Sequence, residues 1–441
     1  MENKKLRASV RLALCPAISA MICCVPATAQ TAGKGPVQVV KPPVALAFID
    51  LATYSSDMPG AGMMAGAAQG GRSGGAFGAL GGLLKGGADS ATGRGNTFGG
   101  THSMGFAAPG RYVDISVHTS KNPGLSGATQ AIPMGMNLGD ALKLVAPVPD
   151  KPIQAAPVDE KPIEPTYEKP KGRMSLYWGC GAEIRPGQPR VLDVSKASVE
   201  EYGKFFVMRG NTTKGARSEP GHPAWPNKED DRRVPDTASL VGQHIFTGEG
   251  IPDTFKVTLG PTQDLLAPIQ LNQKKDDGAV ALEWQSVANA RGYFISVMGG
   301  QGGRDGEGGD MVMWTSSELP DMGFGLIDYQ SNANLDKWLG EKVILPASAT
   351  QCTVPKGIFG AEGAGMLRMI AYGSESYLAY PPRPTDVKKP WEPDWQTKVR
   401  SKSTLFSMLG GMAERSKEGR PAKKDEEKPN PLNLLKGLLG R

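Results

Sequence analysis

The sequence predicts a mainly β protein built from two β-sandwich-like units, interrupted by a Gly-rich insertion and a Pro-rich linker and closed by a short helical cationic tail. Three observations carry that expectation. Short β-prone runs bounded by Gly or Pro recur along the chain. Val113, Ile115 and Val117 alternate with Asp114, Ser116 and His118, the period of a half-buried strand. Beyond Pro261 such runs follow one another at regular spacing, the signature of a sandwich or barrel. The 58 glycines and 36 prolines, about a fifth of 441 residues, exclude one uninterrupted globule.

Residues 1–29 read as a secretory signal. Lys4, Lys5, Arg7 and Arg11 precede the uncharged run Leu12–Val25, and Ala27-Thr28-Ala29 supplies small residues for cleavage. The run is shorter than the ~20 residues of a membrane span, and no later segment could span. The chain is therefore expected to be exported, periplasmic or extracellular, with no transmembrane span after cleavage.

Residues 30–58 and 105–149 contribute strands to an N-terminal β unit, completed by the β-rich region 173–260. In it, Ser198–Phe206 is expected to be a short helix and 209–236 a polar surface loop. Between these segments, 59–104 is dominated by Gly, Ala, Ser and Met and reads as a flexible insertion, because few large side chains offset the backbone entropy. Residues 150–172 form a Pro-rich linker. The second sandwich is expected over 261–384. The tail 385–441 carries thirteen Lys/Arg against eight Asp/Glu, so the net charge of +6 resides there and in the signal. The folded part has no clustered cationic face of the kind nucleic acid requires, and no nucleic-acid partner is expected.

In the tail, Leu405, Met408, Leu409 and Met412 fall at helical spacing. Asn430-Pro431 offers a helix start, and Leu432, Leu434, Leu435, Leu438 and Leu439 supply an apolar surface beside Lys436 and Arg441. A helix this short either frays or docks, on a partner protein or envelope component, on its own protein or on a membrane surface.

Cleavage of the signal leaves two cysteines, Cys180 and Cys352. They are either the candidate disulfide of an oxidising compartment or two buried thiols. No Cys-x-x-Cys, His-Glu-x-x-His or phosphate-cradling Gly-x-x-x-x-Gly-Lys-Ser/Thr occurs. Gly71-Arg-Ser73-Gly-Gly75 matches a serine-hydrolase pattern only inside low-complexity glycine, without the strand and helix that strain such a turn. His222 beside Trp225, Glu229, Asp230 and Asp231 reads as a solvated loop, and Asp305, Glu307 and Asp310 as a flexible hairpin loop. No catalytic residue, cofactor or metal ligand is assigned. The function expected is that of an exported, non-enzymatic binding, scaffold or structural protein. The alternatives are an exported hydrolase with a dispersed site and an assembly subunit joined by strand addition.

The run Val280–Val297, with Leu282, Trp284, Val287, Ala290, Tyr293, Ile295 and Val297, resembles the second and third strands of a fibronectin type III or immunoglobulin-like domain. Leu367, Met369 and Ala371 fit a later strand of that pattern, although the tyrosine often found at its start is absent. The resemblance covers 261–384 and implies a scaffold or binding module, a fold that prescribes no chemistry of its own.

Overall fold

The computed structural model describes residues 38–57, 96–102, 108–148, 172–301 (apart from 208, 211 and 213), 310–359 and 365–410. The signal, most of the Gly-rich insertion with its Gly71–Gly75 motif, the linker up to 171, Asp305 and Glu307, and the five tail leucines lie outside the described residues.

The fold is mainly β. Strands β1 (Ala45–Ser56), β2 (Gly110–Thr119), β3 (Gly127–Ala131), β4 (Ala141–Val145), β5 (Arg173–Trp178) and β6 (Arg190–Asp193) precede a short helix, α1 (Val199–Phe205). Then come β7 (Ala224–Trp225), β8 (Gly242–Thr247), β9 (Lys256–Leu259), β10 (Leu271–Asp276), β11 (Ala279–Trp284), β12 (Gly292–Gln301) and β13 (Asp310–Thr315). Helix α2 (Asn332–Gly340) precedes β14 (Leu345–Pro346), β15 (Gln351–Val354), β16 (Met366–Tyr380) and β17 (Trp395–Met408). The helix expected near Ser198 is α1, whose Ser198 and Glu201 form a reciprocal capping box.

Most strands belong to one mixed sheet, in the order β6-β5-β13-β12-β16-β17-β1-β2-β7-β4-β3-β8-β9. Its far end curls back, since Phe255 beside β9 stacks on Trp395 of β17 with ring centroids 4.9 Å apart. The curl encloses a first core of Ile49, Leu51, Ile115, Leu142, Trp225, Phe246 and Val399, among others. A second core forms where the separate sheet β10-β11-β15 packs over β13-β12-β16-β17. There Leu282 and Trp284 face Tyr293, Ile295, Val297 and Trp314. Trp284 meets Tyr293 edge-on at 5.6 Å, and the Val287 N–H donates to the Tyr293 hydroxyl at 2.9 Å. Cys180, just beyond β5, is joined to Cys352 of β15 by a disulfide with Cα atoms 5.2 Å apart.

Three expectations are corrected. Trp395–Met408 is no helical tail segment but the strand joining both cores, paired in parallel with β1 and antiparallel with β16. Its Leu405 stripe is overruled because two flanking strands offer a continuous backbone ladder, whereas a short helix would stand alone. Residues 96–102, placed in the flexible insertion, are packed against the sheet, with Thr101 fully buried. The segment 209–236 is not merely a surface loop. It contributes β7, and Trp225 is fully buried between β2 and β4.

Trp284 is 5% exposed and Tyr293 not at all. Replacing Trp284 with alanine should remove ~3–5 kcal/mol of stability through lost burial and a residual cavity, measured by denaturant unfolding.

Candidate functional site

A strand buried on one face normally turns polar residues to water. Here the second face of β1, β2, β16 and β17 is also covered, so its polar residues had to find partners inside the protein. In β1 the odd residues Ala45, Ala47, Ile49 and Leu51 enter the first core, and Asp50 points the other way, 1% exposed. Across the β1–β17 pairing Asp50 is opposite Arg400, and across the β1–β2 pairing it is opposite Asp114. Lys398, Arg400 and Lys402 follow one another at two-residue spacing, so one face of β17 carries three buried cations.

Each cation has a carboxylate. Arg400 grips Asp50 with two parallel bonds, Nε to Oδ1 at 2.5 Å and a terminal nitrogen to Oδ2 at 2.7 Å, the bidentate geometry that most favours a buried pair. Lys398 pairs with Glu375 of β16 at 2.5 Å and donates to the Lys214 carbonyl at 2.8 Å. Lys402 donates to Asp328 at 2.5 Å. Arg400 and Lys402 both lie over the ring of Tyr329, 4.2 and 4.4 Å from its centroid, and the Tyr329 hydroxyl donates to the Leu51 carbonyl at 2.9 Å.

The covering layer comes from irregular segments. The turn Gly100–His102 brings His102 between two acids, with Nδ1 2.9 Å from Asp328 and Nε2 3.3 Å from Asp50. Asp114 accepts from the N–H groups of Gly99 at 3.0 Å and Thr101 at 3.1 Å, and from the Thr101 hydroxyl. From the other side the Ala216 N–H donates to Asp50 at 2.9 Å. Gly215 makes that approach feasible: a Cβ there would fall 1.8 Å from an Arg400 nitrogen and 2.3 Å from an Asp50 oxygen.

The electrostatics follow from this geometry. Burial alone would raise the Asp50 pKa, but Arg400, helped by His102, holds it at about 2. Burial presses His102 down, yet Asp328 and Asp50 lift it to about 9, so at neutral pH it is an imidazolium. Asp328 lies below the usual carboxylate range, because Lys402 and His102 outweigh its burial. Asp114 has no such cation in direct contact, and burial pushes it up to about 6 against the bonds from Thr101. Asp328 engages Nδ1, and Nε2 lies 3.3 Å from both Asp50 and a terminal nitrogen of Arg400. The arrangement acts as a clasp fastening 96–102, 214–217 and 328–329 to the sheet.

The disulfide candidates Cys180 and Cys352 lie at the second core, away from this network. Of the four histidines, only His102 enters it. His118 and His222 face each other with ring centroids 4.6 Å apart, and His222 contacts Arg217 and Glu219. Burial and the neighbouring His222 and Arg217 lower His118 to about 4. His244 is buried between Gln130 and the Leu240 carbonyl. Asp310 pairs with Arg173 at 2.7 Å. No group of three His, Cys, Asp or Glu placed to hold a metal occurs among the described residues. Sequence reasoning missed Asp50, Asp114, Asp328, Lys398, Arg400 and Lys402. Two signals could have found them: a lone acid inside the apolar run Ala45–Leu51, and cations at strand period in Lys398-Val-Arg-Ser-Lys402. No known protein-family model matches the chain, and no curated protein resembles it in sequence.

The signs of the shifts set a pH profile. His102, raised in the folded state, contributes stability that is complete below about 6.5 and lost as pH rises through about 9. Asp50, lowered, contributes stability present above its ordinary 3.8 and lost as pH falls through about 2. Asp114, raised, opposes folding at neutral pH, and that cost is relieved as pH falls through about 6 toward 3.8. Thermal midpoints should therefore decline from pH 6.5 to 9, and His102→Gln should remove the His102 part of that decline. Parallel profiles for the two proteins would contradict the clasp. Arg400→Met strands the buried Asp50 and should cost about 3–5 kcal/mol in denaturant unfolding.

Proposed function

We propose that this is an exported, non-enzymatic binding or scaffold protein of the cell envelope or exterior. In this reading, residues 261–408 act as a fibronectin type III-like module, and the apolar, cationic tail serves as its docking element. The observation that carries the reading is the order of the second sandwich. A three-stranded sheet, β10-β11-β15, faces four strands in the order β13-β12-β16-β17, with Trp284 and Tyr293 meeting between them. The strand residues that carry the resemblance lie on β11 in one of these sheets and on β12 and β16 in the other, and β17 adds a strand beyond the limit of 384. Such a fold prescribes no chemistry of its own. The Cys180–Cys352 bond supports an oxidising compartment, in keeping with the signal-like start. The hydrolase alternative has less behind it, because Asp50 and Asp328 are taken up in contacts with Arg400, Lys402 and His102.

Deleting 430–441 tests the docking element. The expected outcome is an unchanged thermal midpoint with weakened co-sedimentation on anionic vesicles or envelope fragments, more so at low salt. A destabilised truncation that binds vesicles as before would overturn it.

A further inference from the structure

Strand β16 is fifteen residues long, and only its first half has neighbours on both sides. Met366–Tyr372 pairs with β12 and β17, whereas Glu375–Tyr380 pairs with β17 alone. The hydrogen bonds show which backbone groups the second half leaves open. The Glu375 N–H donates to Asn332 Oδ1 at 3.0 Å, and its carbonyl accepts from Asn332 Nδ2 at 2.7 Å. The Tyr380 carbonyl accepts from Asp394 on the β17 side at 2.7 Å. In an antiparallel pair this direction alternates. The peptide groups of Ser376, Leu378 and Tyr380 therefore turn toward β17, and those of Tyr377 and Ala379 turn outward. No strand pairs with that outward edge among the described residues.

The other edges carry protection. Lys274, Lys275 and Asp276 stand on β10, Lys256 on β9, and Arg190 and Asp193 on β6. β15 is bordered by Gly181 and Ala182, which bond Thr353 and Lys356. Ser376-Tyr-Leu-Ala-Tyr380 has no charge, proline or bulge, and Tyr377 and Tyr380 are 56% and 46% exposed. Its ends are blocked, by the Asn332 amide at Glu375 and by Pro381, which has no N–H.

We propose that this edge pairs with the same edge of a second copy of the chain, antiparallel and centred on Leu378. That register sets Tyr377 opposite the partner's Ala379 and Ser376 opposite the partner's Tyr380. It makes four main-chain hydrogen bonds, opposes no like charges, and is limited by the same two blocks at both ends. An isologous contact of this kind closes at two copies. Five residues bury less than a standard interface, so the association is weak and concentration-dependent. The inference does not depend on where the protein resides or on what its tail binds.

Sedimentation velocity of the purified chain from about 10 μM to about 1 mM tests it. The weight-average mass should climb toward two copies, and the Tyr377 and Ala379 amides should gain protection from hydrogen exchange as it does. Ala379→Pro removes an N–H that bonds nothing within the strand pair, so it should abolish association while leaving the fold intact. Ala379→Lys should do the same by placing a charge on the edge, and it serves where the proline variant fails to fold. A monomer at every concentration, association unchanged in a folded variant, or growth beyond two copies would overturn the proposal. So would protection of both amides in the dilute monomer, which would mean that the chain covers its own edge.

Discussion

The pairing of Arg400 with Asp50 is the interaction on which the rest of the structure leans. It joins residues 350 positions apart, between two strands that run in parallel through the middle of the sheet. Both side chains are almost completely withdrawn from water. Desolvating either ion alone would cost several kcal/mol, so neither strand could carry its charge inward without the other. The bidentate contact, Tyr329 against the guanidinium and the Ala216 N–H on the carboxylate complete a shell that water would otherwise provide.

That shell explains why so much irregular chain is held in place. The segments at 96–102 and 214–217 have few large apolar side chains to bury, and 328–329 buries the ring of Tyr329. Each delivers a hydrogen-bonding group to an ion on the sheet, His102 to Asp50, Ala216 to Asp50 and Asp328 to Lys402, and His102 also joins Asp328 of the neighbouring segment. Replacing such a network by well-packed apolar residues is often neutral or stabilising in other proteins, so its presence says more about specificity than about strength. An apolar second face would let these segments slide. A face of paired charges admits one arrangement, and Gly215 marks how closely the covering chain approaches.

The legible part of the fold was the strands whose apolar residues stand at strand period or in short β-prone runs. Alternation located β2, β11, β12 and the first half of β16, and Trp284 and Tyr293 lie where their spacing put them. Strand β17 escaped because polar residues fill much of both its buried faces. Its inward residues include Thr397, Ser401 and Ser403, and its other face carries Lys and Arg, so it reads as polar chain instead of core. The network escaped for a related reason. Its members come from residues 50, 102, 114, 328, 375 and 398–402, and nothing in local spacing links a carboxylate on the first strand to a guanidinium on the last. His102 was hidden further by glycine-rich surroundings, where composition alone argues against a fixed position.

The same long-range pairing constrains how the molecule can fold. β1 is the first described strand and β17 the last, and Trp395 and Val399 of β17 complete the first core. The N-terminal unit therefore lacks one wall until the chain has passed residue 400. Until then Asp50 and the free edge of β1 face solvent or unpaired chain. Loop-closure cost rises only slowly with length, so a separation of 350 residues is thermodynamically tolerable, but contacts of that order make folding slow. β17 also supplies Leu405 and Leu409 to the second core, and closure of one core positions the strand for the other. The two cores are thus coupled through one strand, with the Arg400–Asp50 pair placed between the residues that serve each of them.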